Sequence, residues 1–385
     1  MDKERLPQEL RSRVERSEKL LDRIRGCLLG GAMGDALGYP VEFMQIDKIH
    51  SRYGEAGITE YEKDPVSKQA LFSDDTQMSL FTANGLLYGQ TVSVLKGNAE
   101  PPRYYVYLAY LDWLETQSGL EHGGSIGGIS WLSDIKDLWN CRAPGGTCLD
   151  ALYSGERGST ENRINHSKGC GGVMRVAPVG LFLRDQDDMA VATEGAEVAA
   201  LTHSHSLGFM PAAFLAHVIK NAVNGNGQVK LIDLIDRAKE TIQVLFAQRK
   251  HLEVFISLID KAVALAGNDA SDEENIAAIG AGWCGDEALA ISLYAALRHE
   301  GDFSSAIIAA VNHSGDSDST GAITGNIVGA MVGYDAIEEK WKEDLEIKET
   351  ILEMADDLCF GCLIDPKSGY DDEQWRRKYV REGMR

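Results

Sequence analysis

Four glycines, Gly26, Gly30, Gly34 and Gly38, recur at intervals of four residues. That spacing places them on one face of a helix. Glycine costs about 1 kcal/mol against alanine inside a helix. A stripe of four is therefore unfavourable unless it lets another backbone pack very closely. No G-x-G-x-x-G follows a strand pattern here, so the stripe is not a dinucleotide fingerprint.

Beyond the stripe the chain reads as helical. Apolar residues at i, i+3, i+4 spacing recur from Thr76 to Leu358. Sustained period-2 alternation is lacking, and Ile58–Tyr61 is at best a short edge piece. Proline is scarce, 9 of 385 residues, and no Ser/Pro-rich linker divides the chain. The expected fold is all-α, with one large helical domain over residues 26–385 after a charged arm, 1–25. Two long irregular stretches, 45–70 and 117–168, are expected to be functional loops.

The arm carries eight basic and six acidic side chains, so it is net +2, and the remaining residues are −21 − 2 = −23. It reads as a solvated helix or as a docking arm for an acidic partner. A net charge of −21 repels phosphate backbones, which argues against duplex nucleic acid as a partner. The first 25 residues contain no apolar h-region, so no signal peptide is expected. The nearest approach to a membrane span is Leu207–Ile219, which is short, holds Pro211 and His217, and reads as a buried helix. Seven cysteines in a core-rich chain suggest reduced thiols and a cytoplasmic location. Cys359 and Cys362 form a lone C-x-x-C and are expected to be ordinary thiols.

Two acidic clusters could do chemistry. Ser73-Asp74-Asp75 and Asp316-Ser317-Asp318-Ser319 each open a helical pattern. Either alone could be a solvated, capped helix start. Together they offer hard carboxylate and hydroxyl oxygens with no thiol or imidazole intruding. Such donors suit Mg²⁺ or Mn²⁺ rather than zinc. Four carboxylates could hold two divalent cations.

Six segments in order resemble the ADP-ribosylglycohydrolase family: Gly26–Phe43, Phe72–Met78, Ser167–Leu181, Leu201–His205, Gly282–Leu293 and Asn312–Gly329. The resemblance runs from about Gly26 to about Ile337. It implies an all-helical fold with a binuclear Mg²⁺ or Mn²⁺ cleft. It also implies hydrolysis that removes ADP-ribose from protein side chains, arginine above all. By position, Ser73, Asp74, Asp75, Asp316, Asp318 and Ser319 resemble the metal ligands. Glu42, Asp75 and Asp316 resemble the catalytic acids, with Glu42 accepting a proton from water. Gly169, Cys170, Gly171, Gly172 and His203 resemble the ADP-ribose-binding set. Arg175 is expected to pair with a buried carboxylate or to hold the glycine loop. His203 and His205 invite a zinc reading that hard oxygen neighbours argue against. Trp283, Tyr39 and Phe72 are candidates to stack on adenine, although core packing explains each as well. A reading of another class makes the chain an ADP-ribose-binding or partner-blocking protein, its arm docking on an ADP-ribosyltransferase.

Overall fold

In the computed structural model, which describes residues 3–118 and 128–381, the glycine stripe lies on the helix Leu21–Gly38. The helix Ser317–Val332 packs against it backbone to backbone. A Cβ on Gly26 would stand 2.3 Å from the Gly329 carbonyl oxygen, and one on Gly30 2.4 Å from that of Gly325. On Gly34 it would stand 2.0 Å from the Gly321 oxygen, and on Gly38 2.3 Å from that of Ser317. Partners descend by four as the glycines ascend by four, so the helices run antiparallel. The register carries a functional consequence. It brings the C-terminal end of one helix, Gly38 and the Glu42 that follows, beside Ser317 and Asp318 at the start of the other.

Further helices surround this pair, among them Asp74–Lys96, Pro102–Ser118, Asp188–Ala200, Ser206–Gly225 and Gly285–Arg298. Ser206–Gly225 is long and apolar enough to cross a membrane, but 94% of its most apolar window is buried inside the protein. It is a core helix, as expected for Leu207–Ile219. Pro211 lies inside it. The only paired strands among the described residues are Ile364–Asp365 and Tyr370–Asp371, antiparallel. Ile58–Tyr61 is not a strand.

The segment 1–25 is helical over most of its described length, but it is not the wholly solvated arm expected. Gln8–Glu18 is a helix whose Leu10 and Val14 are buried, and Leu6 just before it is buried too. The boundary at residue 25 falls inside Leu21–Gly38. Arg184 reaches from the core to Ser17 Oγ at 3.3 Å, and Cys359 Sγ donates to the Ser17 carbonyl at 3.2 Å. Glu15, Arg16 and Glu18 are exposed while the apolar side joins the core, as in an amphipathic helix, and Arg13 reaches inward to the Cys362 carbonyl. Irregular stretch 45–70 contains the helix Ile46–Tyr53, and 117–168 contains Gly146–Tyr153. Part of the second stretch, 119–127, lies outside the described residues. Cys359 and Cys362 are buried free thiols.

Candidate functional site

The first acidic cluster is shaped by a residue that the motif reading passed over. Asp35, fully buried on the glycine helix, accepts the Ser73 N–H at 2.9 Å. Its other oxygen accepts the Thr76 N–H at 2.9 Å and the Thr76 hydroxyl at 2.5 Å. Ser73 caps the helix Asp74–Lys96, its Oγ accepting the Asp75 N–H. These bonds satisfy donors orphaned at the helix start. They leave the carboxylates of Asp74 and Asp75 for other work.

A second brace comes from far along the chain. Arg142 donates to Glu346 at 2.6 and 2.8 Å and to the Phe72 carbonyl at 3.1 Å. The Arg142 carbonyl in turn accepts the Asp74 N–H at 3.1 Å. The ion pair is buried, so the segment before Asp74 is tied down on both sides.

The second cluster starts the partner helix. Asp316 occupies its N-cap position, and its N–H donates to the Ala281 carbonyl at 2.9 Å. Buried His313 lies 3.0 Å from the Thr320 hydroxyl through Nε2, bracing the turn. Burial pushes the His313 imidazole down to about 4, while an unfolded histidine titrates near 6.5. The folded state therefore refuses a proton that the unfolded state accepts. This contribution to stability is complete above pH ~6.5 and fades as pH falls toward 4. At pH 5 it amounts to about 2 kcal/mol lost. Denaturant melts of wild type and His313→Gln at pH 7 and pH 5 are expected to differ in their pH drop by that amount. Equal drops would place His313 in a solvated site.

Both clusters meet at one cavity of about 290 Å³, lined by Glu42, Asp74, Asp75, Asp316, Asp318 and Ser319. Glu42, Asp316 and Asp318 each offer an oxygen within 4.8 Å of the others. No lysine or arginine lines this cavity among the described residues. Burial, then Asp318, Asp316 and Asp74, push the Glu42 carboxyl up to about 10. Burial and Asp318 hold Asp74, Asp75 and Asp316 well above the usual carboxylate range. Glu42 Oε2 and Asp75 Oδ2 are buried without hydrogen-bond partners. Crowded, buried, unpaired carboxylate oxygens are what a hard divalent cation satisfies. The donor set fits Mg²⁺ or Mn²⁺ on this ground.

One expectation about this chemistry is corrected. A thiol does intrude: Cys170 Sγ donates to Asp316 Oδ2 at 2.7 Å. Burial and Asp316 raise the Cys170 thiol well above its ordinary range, so it acts as a donor.

The remaining candidates divide. Gly169, Cys170, Gly171 and His203 line the cavity, whereas Ser73 and Gly172 do not. Ser73 is a buried cap. Gly172 packs against the core helix, where a Cβ would meet the Gly208 carbonyl at 2.8 Å. His205 caps that helix, accepting the Leu207 N–H at 3.1 Å, and stacks on His251. Arg175 is fully buried but meets no carboxylate among the described residues. Its guanidinium lies over the Tyr110 ring and donates to Thr202. Phe72 is buried and Tyr39 half-buried. Trp283 stands at the cavity rim, its ring stacked 5.3 Å from that of Phe43. Phe43 is 66% exposed and holds a left-handed backbone at φ 64°, a conformation costly for a bulky side chain.

Comparisons with known proteins agree with this architecture. The sequence model described as ADP-ribosylglycohydrolase matches residues 16–365. A protein of Archaeoglobus fulgidus is 28% identical over 343 residues, covering 88% of this chain and 96% of that one. ADP-ribosylarginine hydrolase Tri1 of Serratia proteamaculans is 22% identical, covering 88% and 80%. A solved structure titled ADP-ribosylglycohydrolase-related protein complex shares the fold, with TM-score 0.59 and 23% identity over 89% of this chain and 98% of that one. The chain belongs to the ADP-ribosylglycohydrolase family.

Proposed function

We propose that the cavity hydrolyses the bond between C1″ of the distal ribose of ADP-ribose and a modified protein side chain, with arginine as the linkage. The observation that carries this reading is the convergence of Glu42, Asp74, Asp75, Asp316 and Asp318 on the same cavity as Gly169, Gly171 and His203. Family membership supports an ADP-ribosyl hydrolase. One observation favours arginine: the similar Serratia protein bears that specificity in its name.

Asp74, Asp75, Asp316 and Asp318, with the hydroxyl of Ser319, would hold two Mg²⁺ or Mn²⁺ ions. Ser73, whose hydroxyl serves as the helix cap, would position Asp75 instead. Bound divalent cations supply positive charge to orient ribose hydroxyls and water and to offset charge in the transition state. With divalent charge offsetting the carboxylates around it, Glu42 would be ionised, and its Oε2, buried and without a partner, would take the proton of the attacking water. The water oxygen bonds to C1″ as the C1″–nitrogen bond breaks, and the leaving guanidine keeps the electron pair and takes up the proton that Glu42 received, which restores Glu42. Free ADP-ribose and an unmodified side chain result. Gly169 and Gly171 keep their wall of the cavity low enough for the substrate to approach.

The test uses proteins carrying defined arginine-linked or serine-linked ADP-ribose. With Mg²⁺, ADP-ribose release is expected from the arginine linkage, at least tenfold above the serine linkage (~1.4 kcal/mol). Chelation is expected to stop it. Tight binding without release would sink the hydrolase reading, and faster release from serine would overturn the linkage.

A further inference from the structure

We propose that Arg175 and Thr202 form a relay that fixes His203 in its Nε2–H tautomer and presents that N–H to an oxygen of bound ADP-ribose. The ligand in the last step rests on the functional reading above; the relay itself does not.

The chain of donors runs in one direction. Arg175 Nη2 lies 2.5 Å from Thr202 Oγ1. A guanidinium can only donate, so the threonine oxygen accepts. Thr202 Oγ1 also lies 2.8 Å from His203 Nδ1. A hydroxyl has one hydrogen. If it goes to His203, Nδ1 is the acceptor and the ring proton sits on Nε2.

The competing arrangement sends the Thr202 hydrogen to Cys148 Sγ and lets Nδ1–H donate to Thr202. Two observations count against it. A thiol sulfur is a weak acceptor beside an imidazole nitrogen. The Cys148 sulfur also already receives Arg175 Nη1 at 3.4 Å. Burial, then the Arg175 charge, push His203 down to about 3. The ring is therefore neutral, and only the choice of tautomer remains.

The far side of the ring opens on the cavity. Among the described residues Nε2 makes no hydrogen bond, and His203 lines the cavity with Gly169 and Gly171. Cβ atoms on those glycines would stand 3.3 and 3.2 Å from Nε2. Side chains there would cover the nitrogen, and glycines leave it free. Arg175 itself is fully buried, with no carboxylate in hydrogen-bond contact among the described residues and Asp74 felt only at longer range. That is an expensive arrangement, and the cost is explained if its orientation of Thr202 matters. Arg175 and Thr202 are thus positioning residues acting through His203.

The experiment reads the tautomer directly in the full-length protein. Histidine nitrogens are labelled with ¹⁵N, and the spectrum is recorded at pH 7, with His203 assigned by its loss in His203→Asn. The expected result is a protonated Nε2 and a bare Nδ1 in wild type. Thr202→Ser is expected to keep this pattern, and Thr202→Val to mix or reverse it. A protonated Nδ1 in wild type overturns the relay whether or not the Thr202 variants fold. An unchanged tautomer in Thr202→Val also overturns it. Calorimetry with free ADP-ribose then tests the ligand. Thr202→Val is expected to bind about tenfold more weakly, the value of one hydrogen bond, and Thr202→Ser as wild type. Unchanged affinity in Thr202→Val overturns the donor role. No binding by wild type, with the tautomer as expected, overturns the ADP-ribose reading and leaves the relay standing.

Discussion

Gly34→Ala is expected to yield no stably folded protein. The added methyl would lie 2.0 Å from the Gly321 carbonyl oxygen and 2.4 Å from its carbon. Both are backbone atoms of a helix, so no side-chain rotation relieves the clash. Relief requires the helices Leu21–Gly38 and Ser317–Val332 to separate, and their contact repeats at Gly26, Gly30 and Gly38. One methyl therefore undoes four close approaches. Destabilisation above about 4 kcal/mol follows, a large part of the 5–15 kcal/mol that a folded protein typically holds. Gly267→Ala is the control, because a Cβ there meets only the Ala264 oxygen at 3.7 Å. That substitution is expected to change stability by less than about 1 kcal/mol. Soluble yield and thermal melts by circular dichroism check both. A Gly34→Ala protein melting within a few degrees of wild type would mean that the two backbones are not in contact.

The glycine stripe shows how far the sequence could be read. Four-residue spacing from Gly26 to Gly38 announced a close-packed helix face, because only one period puts those residues together. The partner stripe went unread: Gly321, Gly325 and Gly329 repeat the spacing, but spacing does not say which stripes meet. Helices with strong apolar periodicity were readable for the same reason. Gln8–Glu18 was misread because its charges dominate composition while three apolar residues, Leu6, Leu10 and Val14, decide its burial. At the site, adjacent carboxylates beside hydroxyls drew attention to Asp74, Asp75, Asp316 and Asp318. Asp35 carried a usable signal, a lone acid within a run of Gly, Ala and Leu that must be buried and satisfied. Arg142–Glu346 carried none, since its members are 204 residues apart and neither sits in a local pattern. Cys170 beside Asp316 was likewise invisible, because the contact exists only after Ser317–Val332 has docked.

Asp316→Asn is expected to move activity and stability in opposite directions. Its carboxylate shares the cavity with Glu42 and Asp318, all three offering oxygens within 4.8 Å of one another. Two unit charges at that distance repel by about 3 kcal/mol at an effective dielectric near 20. Proton uptake by the cluster caps what the protein actually bears. Without divalent metal, the neutral amide relieves part of this load, so the chelated variant should be more stable than chelated wild type by about 1–2 kcal/mol. Adding Mg²⁺ should reverse the order. Binding at 100 times the dissociation constant stabilises wild type by about 2.7 kcal/mol, and the variant lacks a ligand needed to collect it. Turnover should fall by about 10³-fold, the worth of several kcal/mol of transition-state charge stabilisation. Thermal melts of both proteins with chelator and with Mg²⁺, beside ADP-ribose release, check the whole pattern. A variant less stable than wild type under chelation would mean that Asp316 is held by partners rather than by repulsion, and wild-type turnover would remove it from the site. Opposed shifts are the signature of carboxylates gathered for a cation: the fold accepts their repulsion, and metal binding relieves it.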